Sequence, residues 1–192
     1  MPAFASAAVY HPAGTVDAER DLAALRAELL LADMEIADKR LTRMAKEKRA
    51  GQTAQQQHEE KLLQKCLPAL ENGTRLDQLD LNREDRAALG HLEFLTLIPV
   101  LTVYNVDEDA VSRDYGPATL AVSARIEQEI MAIENPDERR EYLASLGLPS
   151  SGLERMNAAA YRALGLISFF TVGEDEVRAW TIRQGTRAAQ AA

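Results

Sequence analysis

A short, nearly continuous apolar run, Leu97-Ile98-Pro99-Val100-Leu101-Thr102-Val103-Tyr104, leads directly into Asn105-Val106-Asp107-Glu108-Asp109. By residue type alone this is a polar turn, and Asp107, Glu108 and Asp109 read as an acid–base cluster or, better, as a solvated loop. A second short apolar run, Thr119-Leu120-Ala121-Val122, ends in Ser123-Ala124-Arg125. Ser123 has no histidine near it in sequence, so a hydrolase triad is unsupported. His11, His58 and His91 lie far apart with no cysteine or histidine at ligand spacing, which argues against a metal site. The lone Cys66 sits among leucines at helical spacing and reads as a buried structural thiol. A basic cluster, Lys39, Arg40, Arg43, Lys46, Lys48 and Arg49, is offset only by Asp38 and Glu47.

The elements that position these residues follow from hydrophobic spacing. An unalternating apolar run suits a strand buried on both faces of a sheet over residues 97–104, with a second strand at 119–123. Helices are predicted at 125–134, at 136–146 behind Asn135-Pro136, and at 152–164. Two strands, 167–172 and 176–182, are joined by Gly173-Glu174-Asp175 as a hairpin. Upstream, Leu22, Leu25, Leu29, Ala32 and Ile36 form one stripe and Leu30, Met34, Ala37, Leu41 and Met44 a second, giving a long helix over 17–49. Gly51 breaks it, and a second helix runs through Leu62, Leu63, Cys66 and Leu70 to Asn72-Gly73, with Pro68 near its end. Together they predict an antiparallel helical hairpin of the coiled-coil kind. Asn82 caps a further helix reaching to about Leu95.

Composition bounds the rest. The 192 residues are 46% hydrophobic but only 5% aromatic, which points to an aliphatic, helix-rich core. No apolar run is long enough for a membrane helix, and the first residues lack a basic n-region, so the expectation is no membrane and a cytoplasmic location. A net charge of -8 opposes wholesale wrapping of nucleic acid. The basic cluster could still dock one surface such as ribosomal RNA, or it could simply keep a long helix soluble.

Several segments together resemble the YchF / Obg-like ATPase family of P-loop GTPases. Glu28-Leu29-Leu30-Leu31-Ala32-Asp33-Met34 with Lys39-Arg40-Leu41 resembles the opening of the family's helical arm. Tyr161, Leu164-Gly165-Leu166, Phe169-Phe170-Thr171-Val172-Gly173 and Glu176-Val177-Arg178-Ala179-Trp180-Thr181-Ile182-Arg183 resemble its C-terminal region and are the most specific signal. Asn105-Val106-Asp107-Glu108 resembles the family's Asn-x-x-Glu variant of the base-reading motif, and Ser123-Ala124-Arg125 the motif that closes over the base. The resemblance implies base contacts from Asn105, Val106, Glu108, Ser123 and Ala124. It also implies ATP or GTP as ligand, with adenine accepted as well as or better than guanine, magnesium in full-length relatives, and association with ribosomes. The implied fold is a helix-rich α+β or α/β arrangement, in which a coiled-coil arm is attached to a partial P-loop-type parallel sheet and the chain ends in a β-hairpin. Residues 1–16 are read as a short strand and linker, 17–95 as the arm, 96–166 as the G-domain-like part, and 167–192 as the start of a TGS-like region.

The sequence departs from the family pattern in ways that bear on activity. No glycine is followed by Lys-Ser or Lys-Thr, and no Asp-x-x-Gly occurs. Only residues 109–118 separate the base-reading motif from the next strand, short for a parallel crossover. The sequence therefore reads as a truncated or degenerate family member, or alternatively as a protein- or RNA-docking module that has lost nucleotide binding. The terminal hairpin is expected to associate with another copy or to be disordered from about Gly173 onward. The 192-residue chain alone should release no phosphate from ATP or GTP above background, because nothing in it supplies the phosphate cradle. Magnesium-dependent release that co-elutes with the protein through successive columns would contradict this.

Overall fold

The computed structural model of the chain describes residues 1–5, 9–47 and 51–187. It divides into two compact units, Glu19–Pro99 on one side and Met1–Ala18 with Val100–Ala192 on the other. The whole is helix-rich α/β, with a small parallel sheet and a C-terminal antiparallel hairpin.

In the first unit, α1 (Ala18–Glu47) is followed by α2 (Ala54–Glu71). Thr53 starts α2 with a capping box: its Oγ1 accepts from the Gln56 amide at 3.2 Å and Gln56 Oε1 accepts from the Thr53 amide at 2.9 Å. Gly73, at φ +75°, ends it in the left-handed conformation that glycine tolerates best. The helix runs back along α1, so that Ala37 and Met44 share a core with Leu62, Leu63, Cys66 and Leu70. The stripe on α1 is not buried end to end, since Leu25 is exposed. A 30-residue helix outruns an 18-residue partner by several turns.

One buried carboxylate fixes how the rest of this unit folds. Asp33, in the middle of α1, is wholly buried. Its oxygens accept from the Leu95 amide at 2.8 Å, the Thr96 amide at 2.7 Å and the Thr96 hydroxyl at 2.6 Å. This explains a correction to the expected helix reaching Leu95. Helix α3 spans only Arg83–Leu89, and the chain continues in 3-10 turns at Gly90–Leu92 and Leu95–Leu97, with Glu93 between them at φ 53°. In a longer α-helix the Leu95 and Thr96 amides would bond to carbonyls four residues back; here Asp33 takes both. Leu89 and Phe94 close the core over α2.

The second unit holds a parallel sheet ordered β1 (Pro2–Ala3), β2 (Thr102–Val106), β3 (Thr119–Val122). Strand β2 starts later than expected, because Pro99 has no amide to donate and Leu95–Leu97 is already a 3-10 turn. It is also not buried on both faces: Thr102, Tyr104 and Val106 are buried, while Val103 and Asn105 between them are only half-buried. The crossover over 107–118 needs no α-helix. Its single 3-10 turn at Glu108–Ala110 leads to Val111, which is buried, and to Tyr115, whose ring lies 5.2 Å from that of Tyr104. Gly116 at φ +92° and Ala118 at φ +56° then turn the chain back, and the Ala118 carbonyl accepts from the Thr102 amide at 3.0 Å.

Helices α4 (Ala124–Ala132), α5 (Pro136–Ser145) and α6 (Gly152–Ala163) follow. Glu127 of α4 accepts from the Gly152 amide at 2.6 Å and the Leu153 amide at 3.3 Å, a carboxylate at the N-terminus of α6. Gly152 has to be glycine, because a Cβ there would come within 2.6 Å of Val122 Cγ1 and 2.8 Å of Glu127 Oε1. Strands β4 (Leu166–Val172) and β5 (Val177–Arg183) pair antiparallel, with Phe169 opposite Trp180 and Val172 opposite Val177.

Asp33→Ala should cost about 3 kcal/mol of unfolding free energy, since it strands two backbone amides and a hydroxyl away from water. Asp33→Asn, which keeps one acceptor, should cost less. Urea denaturation followed by helical circular dichroism checks both, and equal, negligible losses would contradict the role given to Asp33.

Candidate functional site

Strands β2 and β3 run parallel in register from Thr102 opposite Thr119 to Asn105 opposite Val122, so both end at the same edge of the sheet. That edge, at the carboxyl ends of parallel strands, is where α/β folds form ligand crevices. Here it forms an open pocket of about 560 Å³. Asn105, Val106 and Glu108 enter from the end of β2, and Ser123 and Ala124 from the end of β3. All five residues singled out by the resemblance therefore line one pocket.

The two strand ends are tied by a side chain. Asn105 Oδ1 accepts from the Ala124 amide at 3.0 Å. Ala124 is the first residue of α4, where backbone amides have no partner inside the helix, so the bond satisfies one of these orphan donors. It also holds the start of α4 against the end of β2. Ser123, buried just before it, makes no cap with its side chain.

The pocket has members that sequence reasoning did not assign to it. Asp107 Oδ2 accepts from the Ala5 amide at 3.0 Å, and Phe4 and Ala5 line the wall beyond β1. The signal for this was thin: a short strand at the start of the chain, with nothing in its residue types to say where it would pair. In the structure Met1 seats it, donating to the Val103 carbonyl at 2.8 Å and accepting from the Asn105 amide at 2.9 Å. Arg125 is the other omission. Its Nε lies 2.9 Å from Glu108 Oε1 and 3.4 Å from Glu129 Oε1. Glu129 in turn accepts from the Tyr142 hydroxyl, a bond that pushes the Tyr142 pKa upward by holding its proton. Asp109 lines the pocket as well. The solvated-loop reading of 107–109 thus gives way to a partly ordered, acidic pocket mouth.

The basic cluster lies elsewhere, on α1. Arg40 does not present itself to a partner: its guanidinium meets both oxygens of Glu59 at 2.6 and 2.8 Å, and the Glu59 side chain is 6% exposed. Arg40 thereby holds the Glu59 carboxyl below its usual range, and Glu59 raises the pKa of Arg40. Lys39 pairs with Glu35 at 2.5 Å and Arg43 with Glu47 at 2.8 Å, both on the surface. Lys46 is exposed in the last turn of α1, and Lys48 and Arg49 lie outside the described residues. Among the described residues no three of His, Cys, Asp or Glu gather where they could hold a metal ion. Among them, too, no helix is long and apolar enough to cross a membrane.

Known proteins match this arrangement. The family model YchF-GTPase_C, described as a protein of unknown function (DUF933), matches residues 166–192. A ribosome-binding ATPase YchF of Escherichia coli O157:H7 is 36% identical over 196 residues, covering 96% of this chain and 53% of that protein. The Bacillus subtilis (strain 168) protein of the same name is 35% identical over 206 residues, covering 99% and 56%. The solved structure of the Schizosaccharomyces pombe YchF GTPase superposes with a TM-score of 0.82 at 29% identity, covering 99% of this chain and 55% of that one. By sequence and by fold the chain is similar to the YchF family. It spans about half the length of the curated YchF relatives it matches.

The Arg40–Glu59 pair gives a pH-dependent test of α1–α2 packing. Glu59→Gln should lower stability at neutral pH by about 2 kcal/mol, because it leaves Arg40 half-buried without a carboxylate. The folded pKa of Glu59 is depressed, so its stabilisation is present above the unfolded value and is lost as pH falls through the folded one. The difference between wild type and variant should therefore shrink below about pH 4.5. A difference that stays constant down to pH 3 in parallel urea melts would contradict the pairing.

Proposed function

We propose that this pocket takes the purine base of an adenosine or guanosine nucleotide, in a chain that provides the base-reading part of a YchF-type nucleotide-binding protein. The observation that carries this reading is the Asn105–Ala124 bond, which fixes the two strand ends on either side of a cavity with the Glu108 carboxylate at its mouth. Asn105 anchors the loop and turns its remaining polar capacity to the ring. Val106 and Ala124 supply apolar contact to its faces, and Glu108 accepts from its N–H groups. The names of the relatives, ribosome-binding ATPases, support ribosome association and a cytoplasmic setting for the longer protein. Lys39, Arg43 and Lys46 remain the better candidates for an RNA contact, with Arg40 committed to Glu59. In the same reading the β4–β5 hairpin takes a TGS-like role.

The second reading, a docking module without nucleotide binding, draws support from the hairpin. Phe170, Val172 and Val177 are 67%, 77% and 65% exposed, more apolar surface than isolated strands ordinarily leave uncovered. It predicts concentration-dependent association of the chain through β4 and β5.

Nuclear magnetic resonance separates the two readings. With no phosphate cradle in the sequence, a base contact alone gives a dissociation constant on the order of millimolar. Titrating the chain with AMP, GMP, CMP and UMP should shift the Asn105 and Ala124 amides for the purines and much less for the pyrimidines. Glu108→Ala should weaken the purine response about tenfold, the loss of one charge-assisted hydrogen bond. Equal responses to all four nucleotides, or none, would remove the proposal.

A further inference from the structure

We infer that the open edge of β4 is a dimerisation surface, on which two copies of this chain pair antiparallel into one continuous sheet ordered β5-β4-β4-β5. The inference is independent of the purine pocket; it rests on the docking reading and names the edge used and the partner. Among the described residues β4 and β5 pair only with each other, so each strand keeps one open edge. The two edges are unlike. Strand β4, Leu166-Ile167-Ser168-Phe169-Phe170-Thr171-Val172, carries no charge and no proline and is rich in β-branched and aromatic residues. Strand β5 carries Arg178 and Arg183. Charged side chains guard an edge against pairing, whereas a short uncharged strand of high β-propensity invites it.

The ladder shows which backbone groups of β4 are open. The Gly173 amide donates to the Glu176 carbonyl, and the Gln184 amide to the Gly165 carbonyl. Bonded pairs alternate along an antiparallel ladder, so in this register Ile167, Phe169 and Thr171 turn their amides and carbonyls to β5. Leu166, Ser168, Phe170 and Val172 turn theirs outward. A second β4 laid antiparallel with full overlap sets Leu166 opposite the partner's Val172 and Ser168 opposite the partner's Phe170. Outward groups then meet outward groups along the whole strand, and a slip of one residue would set them against inward ones. The two-fold axis passes through Phe169, which faces the partner's Phe169 at the closer, non-bonded spacing. Trp180 already stands opposite Phe169 in each copy, so the aromatic rings of both copies form one row across the sheet. On the other face Phe170 and Val172, exposed in the single chain, come beside the partner's Ser168 and the partner's Leu166.

Symmetry and charge select this pairing over the others. Joining β4 to β4 is isologous and closes at two copies, with an arginine-bearing β5 at each outer edge. Joining β4 to β5 is heterologous and would extend without end. Joining β5 to β5 would bring the arginines of both copies to one seam, where like charges oppose pairing. A lone two-stranded hairpin is marginal in water, and the added strands with their shared apolar faces remove that weakness.

The test measures the mass of the full chain by sedimentation equilibrium across a wide concentration range, where a reversible monomer–dimer equilibrium is expected and no larger species. Phe170→Lys sets two lysines diagonally across the seam and should weaken the dimer by about tenfold, with the circular dichroism of the chain unchanged. Phe169→Cys should cross-link chain to chain under mild oxidation, because this position faces itself across the axis, while Trp180→Cys should not. Cys66 is buried, so the parent chain should form no such cross-link. A dimer that Phe169→Cys does not cross-link, a dimer indifferent to Phe170→Lys, or association beyond two copies would overturn this inference and leave the docking reading standing. A chain that stays monomeric at every concentration would overturn both.

Discussion

Parallel pairing of β2 with β3 imposes the geometry on which the second unit depends. Two parallel strands end at the same edge, so the residues following each are delivered to one place however far apart they stand in sequence. The pairing by itself leaves the two ends free to splay, because the last ladder bonds lie inside the strands. Asn105 prevents this by placing a side-chain oxygen where the first amide of α4 needs an acceptor. One hydrogen bond thus joins the end of a strand to the start of a helix at the wall of a pocket. Its partners are fixed in turn: Asn105 by the Met1 carbonyl on its amide, and α4 by Glu127, whose carboxylate is engaged with the start of α6.

The other unit is organised by a different constraint, a carboxylate with no access to water. Asp33 faces a core that is otherwise aliphatic, and a buried charge is tolerated only where hydrogen bonds replace its hydration. The replacement comes from the backbone of residues 95 and 96, more than sixty positions downstream. The 3-10 turn there satisfies Asp33, and Thr96 passes the constraint on, accepting from the Leu76 amide at 3.3 Å. This segment ends at Pro99, where the two units divide, so its conformation is set from α1 before the chain enters the sheet.

What could be read from the sequence follows from how local each signal is. Helices α1, α2, α5 and α6 and the β4–β5 hairpin were legible because periodicity, capping residues and turn glycines are near-neighbour properties. The end of α3 was not, since the residue that stops it is Asp33, distant in sequence and by type more often a surface residue than a core one. The start of β2 was misplaced because apolar content was equated with strand, although Pro99 and the Asp33 contacts prevent it. The pocket was legible as residues but not as a cavity. Asn105 and Ala124 came from motif resemblance, while Phe4 and Ala5 depend on a two-residue strand that no local pattern specifies. Arg125 was visible in the motif and went unassigned because its pairing with Glu108 and Glu129 depends on how β2 and α4 meet.

The parallel crossover shows how a loop can join two parallel strands without a helix. A helix between parallel strands ordinarily covers one face of the sheet and spans the return distance. Here the return is made by an extended loop that places Val111 and the Tyr115 ring against the buried side chains of β2, with residues at positive φ turning the chain at the end. The covered face therefore stays covered, and the strand register that brings Asn105 opposite Val122 is retained. Selectivity for a base edge depends on that edge alone, whereas binding strength in a nucleotide site comes mostly from groups that hold phosphate. On the proposed reading, the residues at the two strand ends meet the base, and the course of the crossover between them leaves those contacts in place.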